Sequence, residues 1–440
     1  MWFLMAVLIL STIALYYVFL NRNFLSPTFI LFAMFIFCTF FAILGNQEWK
    51  VQIPDVTYVA IISGLFAFAA GEVCVDVAFN NGRVSRRFCH CENDSNYYSI
   101  PRSLPLIGAL LGLIVFFMYF RKMNSIASSF GYSGAMSFMA LSYAKAGLLE
   151  GASLGKGIST AVNLIYGIGF NAIFAFCYNI NCCKKSTKQM WYILLPCIPQ
   201  LLCYATSGSR NGFITIIVYA FFVYFITYYK THDIASKRTM GIGKVMIIIC
   251  GLLCAFYGLF QLLGVALGKT GVRTPLEMLY LYAGSSIPAL GKYLGGGYKP
   301  SVCFGNETFV GIVNWFHRFL GTPEGLKNFE HVRFANSSTT NIYTCFREYI
   351  DDFGYLGSIF LMFINGFLHK YYFEKIRKRK SIGLLVIIYS YFMYYHISSI
   401  FAASTTIYLL SNTQLSQFIW IVSVYLLMKK QYLKRDIASS

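Results

Sequence analysis

Arginines that could bind a phosphate group stand in the polar segments of the second half of the sequence. Arginine stays ionised, and its planar guanidinium matches phosphate oxygens with two parallel hydrogen bonds. Arg210 is the strongest candidate, because it follows Ser207-Gly208-Ser209 and an apolar run begins directly after it. Its charge therefore lies at a helix start, where anions bind favourably. Arg273, Arg318, Arg333 and Arg347 are further candidates, and for each of them contact with water or a lipid headgroup is the alternative.

A dense polar patch precedes the apolar run that starts at Phe353. It combines amide, phenol, hydroxyl and guanidinium groups with three carboxylates. Its members are Asn341, Tyr343, Thr344, Arg347, Glu348, Asp351 and Asp352. Such a set of groups would bind a charged substrate rich in hydroxyls. A polar cap at the mouth of a membrane helix has a similar composition and is the alternative interpretation.

These polar segments belong to a very apolar chain of 440 residues. Hydrophobic residues make up 57% of it and charged residues 12%, whereas soluble domains are about 45–50% apolar and about 25% charged. Apolar runs long enough to cross the hydrocarbon core, about 20 residues each, recur from end to end. We therefore predict an all-α polytopic membrane protein. The first run lacks the basic segment and cleavage site of a signal peptide, so we interpret it as a mature helix.

The predicted domains are N-terminal spans within residues 1–268, one large extracytoplasmic loop at 269–352, and C-terminal spans with a tail at 353–440. The predicted spans cover residues 2–20, 27–45, 53–71, 104–120, 158–180, 190–206, 212–229, 245–268, 353–372, 382–401 and 413–428. A twelfth, at 126–149, is rich in Ser and Gly, so eleven or twelve spans remain open. The loop lies between the last-but-three and last-but-two spans. Its residues 275–290 predict a short helix on the membrane surface, and the loop should fold as a lid.

The net charge of +19 is dispersed over separate short loops. This pattern is typical of topology signals and of contact with anionic lipids, not of a nucleic-acid-binding face. Four basic clusters, at residues 184–188, 230–244, 375–380 and 429–435, fall on one side, which the positive-inside rule makes the cytoplasm. Twelve spans, the arrangement we prefer, place both termini in the cytoplasm. Eleven spans turn residues 83–87 inward and place the N-terminus outside.

Sequence motifs for nucleotides and metals are missing. The chain has no P-loop and no HExxH, which disfavours a nucleotide-driven pump or enzyme. Cys89-His90-Cys91 lacks the spacing and the partner pair of a structural zinc site, so we predict neither a metal nor a cofactor. Cys74, Cys89 and Cys91 could form a disulfide if their loop is external, and the pairing stays open.

Several short segments occur in a characteristic order in the C-terminal half. They are Ser207-Gly208-Ser209-Arg210, YAGSS at 282–286 with KYL at 292–294, GNETF at 305–309, NIYT at 341–344 and DFGYLG at 352–357. In this order they resemble the oligosaccharide repeat unit polymerases, the Wzy-type polymerases of bacterial O-antigen and capsule. The N-terminal half is similar to this family only in size and hydropathy.

The resemblance implies a glycosyltransferase of the bacterial cytoplasmic membrane, with its active site facing the periplasm or the cell exterior. Its substrate would be an oligosaccharide linked to undecaprenyl pyrophosphate, and each cycle would transfer the growing glycan onto the next repeat unit. The glycosyl–pyrophosphate bond is already activated, so no nucleotide sugar or cofactor is needed. Membrane lipids and a polysaccharide chain-length regulator would be its partners.

The resemblance also implies roles for particular residues. Arg210, with Arg273, Arg318 or Arg333, would neutralise the departing pyrophosphate. A general base would take the proton from the acceptor hydroxyl, and the candidates are His317, His331, Glu307 and Asp352. Glu307 and His331 could instead bind the substrate, and each histidine has a solvated surface residue as its alternative. Asn341, Tyr343, Thr344 and Arg347 would hydrogen-bond to the sugar or the diphosphate.

Two other functions compete with polymerisation. A secondary transporter or lipid-linked oligosaccharide flippase should show internal repeats and charged residues near the membrane midplane. Charge within the predicted spans is sparse and polar residues gather in one outer loop, which favours chemistry at one membrane face. An O-antigen ligase would use the same lipid donor with a different acceptor.

Overall fold

The computed structural model describes residues 1–18, 23–80, 96–131, 154–206, 211–231, 275–296, 305–321, 331–335 and 338–435. These residues are mostly helical, and five of their helices are long and apolar enough to cross a membrane. The described part of the chain therefore agrees with an all-α polytopic membrane protein.

The elements are numbered along the chain. The helices are α1 (Trp2–Val18), α2 (Pro27–Trp49), α3 (Asp55–Asn80), α4 (Ser103–Ser129), α5 (Lys156–Asn181), α6 (Thr187–Met190), α7 (Cys197–Thr206), α8 (Asn211–Thr231), α9 (Pro275–Gly284), α10 (Ser286–Gly295), α11 (Val310–Leu320), α12 (Phe346–Lys378), α13 (Leu384–Ile397), α14 (Ser404–Ile407) and α15 (Asn412–Tyr432). Short 3-10 turns cover Trp191–Leu194 and Ser398–Ile400. The strands are β1 (Asn96–Tyr98), β2 (Val332–Ala335), β3 (Ser338–Thr340) and β4 (Leu433–Arg435); β1 pairs antiparallel with β4, and β2 with β3.

The chain divides into two compact units. Unit 1 comprises Met1–Arg87, Arg273–Lys378 and Tyr395–Gln414, and unit 2 comprises Phe88–Val272, Arg379–Tyr394 and Leu415–Ser440. Unit 1 has a core of buried apolar side chains from α1, α2, α3, α10 and the start of α12. The candidate site lies in unit 1.

Some helices of the structure differ in length or continuity from the predicted spans. The predicted span 53–71 corresponds to α3, which continues as a helix to Asn80. The predicted span 190–206 is broken into α6, a 3-10 turn and α7, where Pro196 removes a backbone donor from the helical ladder. The predicted span 245–268 and most of 126–149 lie outside the described residues.

Helices α3 and α12 pack against each other in parallel along most of α3. Gly71 of α3 lies against the backbone of Phe363, and Gly366 of α12 lies against the backbone of Phe68. A Cβ atom at either glycine would overlap backbone atoms of the neighbouring helix. Small residues at a crossing let two membrane helices approach closely, as here.

We expect Gly366→Ala to destabilise unit 1, because the added methyl group has no space against the Phe68 carbonyl. Overpacking of this kind costs about 1–3 kcal/mol. Gly157→Ala in α5 is the matched control, since a Cβ there meets open space. Thermal unfolding in detergent should show a lower midpoint for the first variant and an unchanged or higher one for the control. Equal midpoints would contradict the close packing.

In each unit a basic segment packs against another part of the same unit. The Lys378 ammonium donates to the Phe79 carbonyl at 3.1 Å, so α3 ends beside the basic end of α12. In unit 2, β1 pairs with β4 of the basic C-terminal segment, and the Lys185 ammonium lies 4.6 Å from the Tyr97 ring centroid.

The region predicted as one large loop contains packed helices. The turn from α9 to α10 reaches the middle of α2, where Gly284 lies against the backbone of Ala42 and the Ser286 hydroxyl lies 3.1 Å from the Cys38 thiol. Helix α10 then ends beside Pro54, at the link between α2 and α3. Ser285, between the two helices, keeps right-handed helical dihedral angles; its N–H donates to the Leu281 carbonyl and its carbonyl accepts the Ala289 N–H. Helices α9 and α10 therefore follow one another along the side of α2, whereas the sequence predicted a surface helix for residues 275–290.

Candidate functional site

The candidate site is built at a sharp break in α12. Gly354 has φ 68° and ψ −177°, a conformation that glycine adopts readily. The short helix before the break folds back beside the long helix after it. The Asn365 amide donates to the Tyr349 hydroxyl at 3.0 Å, and the Cys345 thiol lies 4.0 Å from the Met362 sulfur. The short helix therefore does not span, and it carries the polar patch of the sequence into the protein.

Asp352 fixes the loop that precedes α11. Its carboxylate accepts the backbone N–H groups of Glu307, at 3.1 Å, and of Thr308, at 2.6 Å. The Thr308 hydroxyl donates in turn to the Glu348 carbonyl at 3.0 Å. Burial raises the pKa of Asp352, and the donors from Thr308 and Glu307 oppose that rise. With these donors Asp352 positions Glu307.

Arg347 is buried between two aromatic rings and a carboxylate. Its guanidinium carbon lies 4.5 Å from the Tyr343 ring centroid and 5.0 Å from that of Tyr293, and its terminal nitrogen is 3.7 Å from Glu307. The Tyr293 hydroxyl donates to Asp351. Burial opposes the charge on Arg347, but Glu307 and Glu348 beside it raise its pKa. Stacking on two rings and an ion pair hold this arginine charged and in place.

Glu348 has the environment of an acid–base catalyst. Its side chain is buried, and this burial raises its pKa to about 7, although Arg347 beside it acts in the opposite direction. Within the described residues, its Oε2 atom and the Thr344 hydroxyl make no hydrogen bond. Burial of its carboxyl, with one oxygen unbonded, makes Glu348 a candidate acid–base group.

The cluster as described is acidic. Of its four carboxylates, Glu307 and Glu348 lie beside the Arg347 guanidinium, Asp351 accepts the Tyr293 hydroxyl, and Asp352 accepts the backbone N–H groups of Glu307 and Thr308. Carboxylates accept hydrogen bonds from hydroxyl groups, and tyrosine rings offer apolar faces to sugars. The described cluster is thus better suited to a hydroxyl-rich ligand than to a phosphate.

The structure brings together several of the residues predicted from sequence. Glu307, Tyr343, Arg347 and Asp352 are in mutual contact or share partners, and the Thr344 carbonyl accepts the Arg347 N–H at 3.1 Å. Asn341 is exposed at the start of the segment. Sequence reasoning missed Tyr293 and Thr308 as members, and it named Glu348 and Asp351 only as carboxylates of the patch. The buried position of Glu348 depends on the break at Gly354.

The other predicted residues lie elsewhere or outside the described part. His331 and Arg333, at the strand pair β2–β3, are exposed, and His317 is half-buried in α11. Arg318 is in α11, but its side chain lies outside the description, as do Arg210 and Arg273 entirely. The role of these arginines at a pyrophosphate therefore stays a prediction.

We expect Glu307→Gln to lower the pKa of Glu348. The negative charge of Glu307 raises the pKa of Glu348, so its removal lowers that pKa. Arg347 also loses its ion pair with Glu307, and its positive charge then favours the ionised form of Glu348 more strongly. The infrared band of the protonated Glu348 carboxyl should disappear at lower pH in this variant than in the unaltered protein. The Glu348→Gln variant lacks this carboxyl, so the infrared band that is missing from its spectrum belongs to Glu348. An unchanged or higher midpoint would contradict the geometry.

A second polar cluster lies at the opposite end of α12, and sequence reasoning missed it. The Lys370 ammonium is 3.1 Å from Glu72, 3.0 Å from Asp76 and 3.6 Å from Glu374, and Glu374 also pairs with Arg377. All five side chains are buried, and we call them the ion network. The hydropathy limits at residues 71 and 372 placed four of the five outside the predicted spans. Their spacing of three and four residues would have placed them on one face of each longer helix.

Further polar groups surround the ion network within unit 1. Glu72 accepts the Ser26 hydroxyl at 2.7 Å and the Thr28 N–H at 2.9 Å. The His396 ring nitrogen lies 3.0 Å from the Pro27 carbonyl, and its ring centroid is 4.3 Å from that of His369. The network therefore joins the start of α2 to α3 and α12.

Comparison with known proteins adds no relative: no family model, no curated protein and no solved structure matches this chain.

Proposed function

We propose that this protein polymerises undecaprenyl-pyrophosphate-linked oligosaccharide repeat units by glycosyl transfer, with Glu348 as the general base. The observation that carries the proposal is the environment of Glu348. It is a buried carboxylate with a pKa of about 7 that lies among tyrosines and further carboxylates. A general base acts best when its pKa lies near the working pH.

The chemistry follows from this arrangement. The acceptor sugar would place one hydroxyl against Glu348 and others against Asp351 and Thr344. As the hydroxyl oxygen attacks the anomeric carbon of the donor, its proton passes to the Glu348 carboxylate. The bond between that carbon and the pyrophosphate oxygen breaks, and the undecaprenyl pyrophosphate leaves with the bonding electrons. No nucleotide or metal is needed for this balance.

Because the described cluster is acidic, the acceptor sugar and the diphosphate would bind to two different sets of residues. The cluster would hold the neutral acceptor, since four carboxylates repel a pyrophosphate. Arg210, with one or more of Arg273, Arg318 and Arg333, would bind the diphosphate, as the resemblance implies. The localisation follows: a lipid-linked donor and acceptor require the outer face of the bacterial cytoplasmic membrane.

The proposal is tested with purified protein in liposomes that carry lipid-linked repeat units. Polymerisation should give a ladder of longer lipid-linked glycans. Movement of the same lipid to the other leaflet without a ladder would contradict the proposal and favour a flippase. Transfer of a glycan to an added lipid A acceptor, without a ladder, would favour an O-antigen ligase.

A transporter or flippase is the second candidate, and the ion network is the observation that favours it. Buried charges among membrane helices often mark pathways for ions or substrates. The network contradicts our premise that charge within the helices is sparse, because α3 and α12 extend beyond the predicted spans. Its five groups are nevertheless paired with each other, as expected of a structural contact between α3 and α12.

A further inference from the structure

Helix α11 turns its apolar face away from the protein. Trp315, Phe316, Phe319 and Leu320 are 38%, 44%, 69% and 67% exposed. At about 100° per residue these four positions fall within about 140° of the helix circumference, so they form one face. The Trp315 ring centroid lies 4.6 Å from that of Phe319, which makes this face continuous.

The opposite face of α11 is the one that meets the protein. Val310 is buried, and Gly311 lies against the backbone of Leu409, where a Cβ would overlap the carbonyl. Asn314 and His317 on this side are half-buried. An amphipathic helix of a water-soluble protein buries its apolar face instead. In α11, by contrast, the apolar face is exposed and the opposite face packs against the protein.

The position of α11 places this face at one end of the long helix of α12. The helix begins two residues after Thr308, whose N–H bonds to Asp352, and the Phe309 ring centroid is 6.0 Å from that of Phe353. Just beyond the break at Gly354, α12 exposes Leu356 and Phe360, at 82% and 62%. Apolar side chains next to α11 at residues 408–410 are also exposed. Water-facing surfaces rarely carry so large an apolar area.

We propose that α11 is a lipid-binding helix that lies in the membrane–water interface at this end of unit 1. Its occupant is the phospholipid bilayer: the four apolar side chains lie among acyl chains, and the polar face meets the protein. Eleven residues extend about 16 Å, too short for a core of about 30 Å. Tryptophan and phenylalanine are typical of such interfacial helices. The proposal is independent of the glycosyl-transfer reaction.

The lipid contact has a consequence for the site. Helix α11 follows Glu307 and Thr308 directly, and both are bonded to Asp352. A bilayer that fixes the depth of α11 in the membrane therefore also fixes the depth of this loop. The carboxylate cluster is then held at the level of the lipid headgroups.

Fluorescence quenching tests the proposal. Trp2, Trp49, Trp191 and Trp420 are replaced by Phe, and the protein is placed in nanodiscs of phosphatidylcholine brominated near the headgroup end of the acyl chains. Trp315 should lose most of its fluorescence to bromine and little to aqueous iodide. In the matched control, Trp315→Phe with Asn314→Trp moves the indole to the opposite face, and bromine quenching should fall. If the four substitutions prevent folding, the difference in quenching between the unaltered protein and the Trp315→Phe variant gives the quenching of Trp315.

Two results would overturn the proposal. Quenching of Trp315 by iodide but not by bromine would show that the face meets water. Protection from both quenchers would show that protein covers it, such as a second copy of the chain. Phe319→Glu with Leu320→Glu adds an independent measurement, because it should weaken bromine quenching while the melting temperature stays unchanged.

Discussion

Glutamine in place of Glu348 is expected to reduce glycosyl transfer by about 100-fold or more, the range usual for loss of a general base. Glutamine keeps the size of the side chain and its polar contacts, but it cannot take up a proton. The buried carboxyl is replaced by a neutral amide, so the stability of the fold should stay equal or rise. The rate of ladder formation from lipid-linked repeat units measures the effect.

Glu48→Gln is the matched control for this experiment. Glu48 is an exposed carboxylate in the last turn of α2, and the same change of charge there should leave the rate unaltered. A Glu348→Gln variant that forms a normal ladder would remove Glu348 from the reaction. The general base would then be sought among Glu307, Asp352 and the histidines.

Methionine in place of Lys370 is expected to destabilise the protein by about 3–5 kcal/mol, the cost of breaking a buried ion pair from one side. Lys370 is the common partner of Glu72, Asp76 and Glu374, and its loss leaves buried carboxylates without their cation. Thermal unfolding can be followed with a thiol-reactive dye, because Cys38 and Cys345 of unit 1 are buried.

Lys375→Met serves as the control, because it removes the same charge from an exposed position of the same helix. Its melting temperature should change little. The double variant Lys370→Met with Glu72→Gln should recover part of the lost stability, since one of the uncompensated charges is gone. An unchanged melting temperature in Lys370→Met would show that the ion network does not hold α3 against α12.

Hydropathy was sufficient to predict the helical membrane architecture, because apolar runs of spanning length have few other uses. It misplaced helix ends for a physical reason. A hydropathy window treats Glu72 and Asp76 as solvated residues, whereas the structure pairs both with Lys370 inside the helical packing. A charge that is neutralised by a distant partner is invisible to a local average.

The candidate site was predicted in part. The density of polar groups before residue 353 drew attention to Arg347 and Asp352, and the order of motifs added Glu307. Their assembly depends on the reversal at Gly354 and on the return of residues 305–308, which are contacts between distant residues. Sequence reasoning could not separate the positioning carboxylate Asp352 from Glu348, since they differ in contacts with distant residues: Asp352 accepts the N–H groups of Glu307 and Thr308, whereas one oxygen of Glu348 is unbonded within the described residues.

The path of α9 and α10 shows the same limit. Interruption by Gly284 and Pro288 led us to predict a surface helix, but helices packed against a membrane span have a similar composition. The close contact of Gly284 with Ala42 and the burial of Ser286 show that α9 and α10 pack against α2.

The pH dependence of a single glycosyl transfer tests the central claim most directly. A base must be ionised to accept a proton, so the rate should rise with pH and level off above the pKa of Glu348, about 7. In Glu307→Gln the midpoint should move to lower pH, in step with the infrared titration of Glu348. A rate that falls or stays constant through this range, or that keeps its midpoint while the infrared titration moves, would contradict the assignment of Glu348 as the base of a polymerising glycosyltransferase.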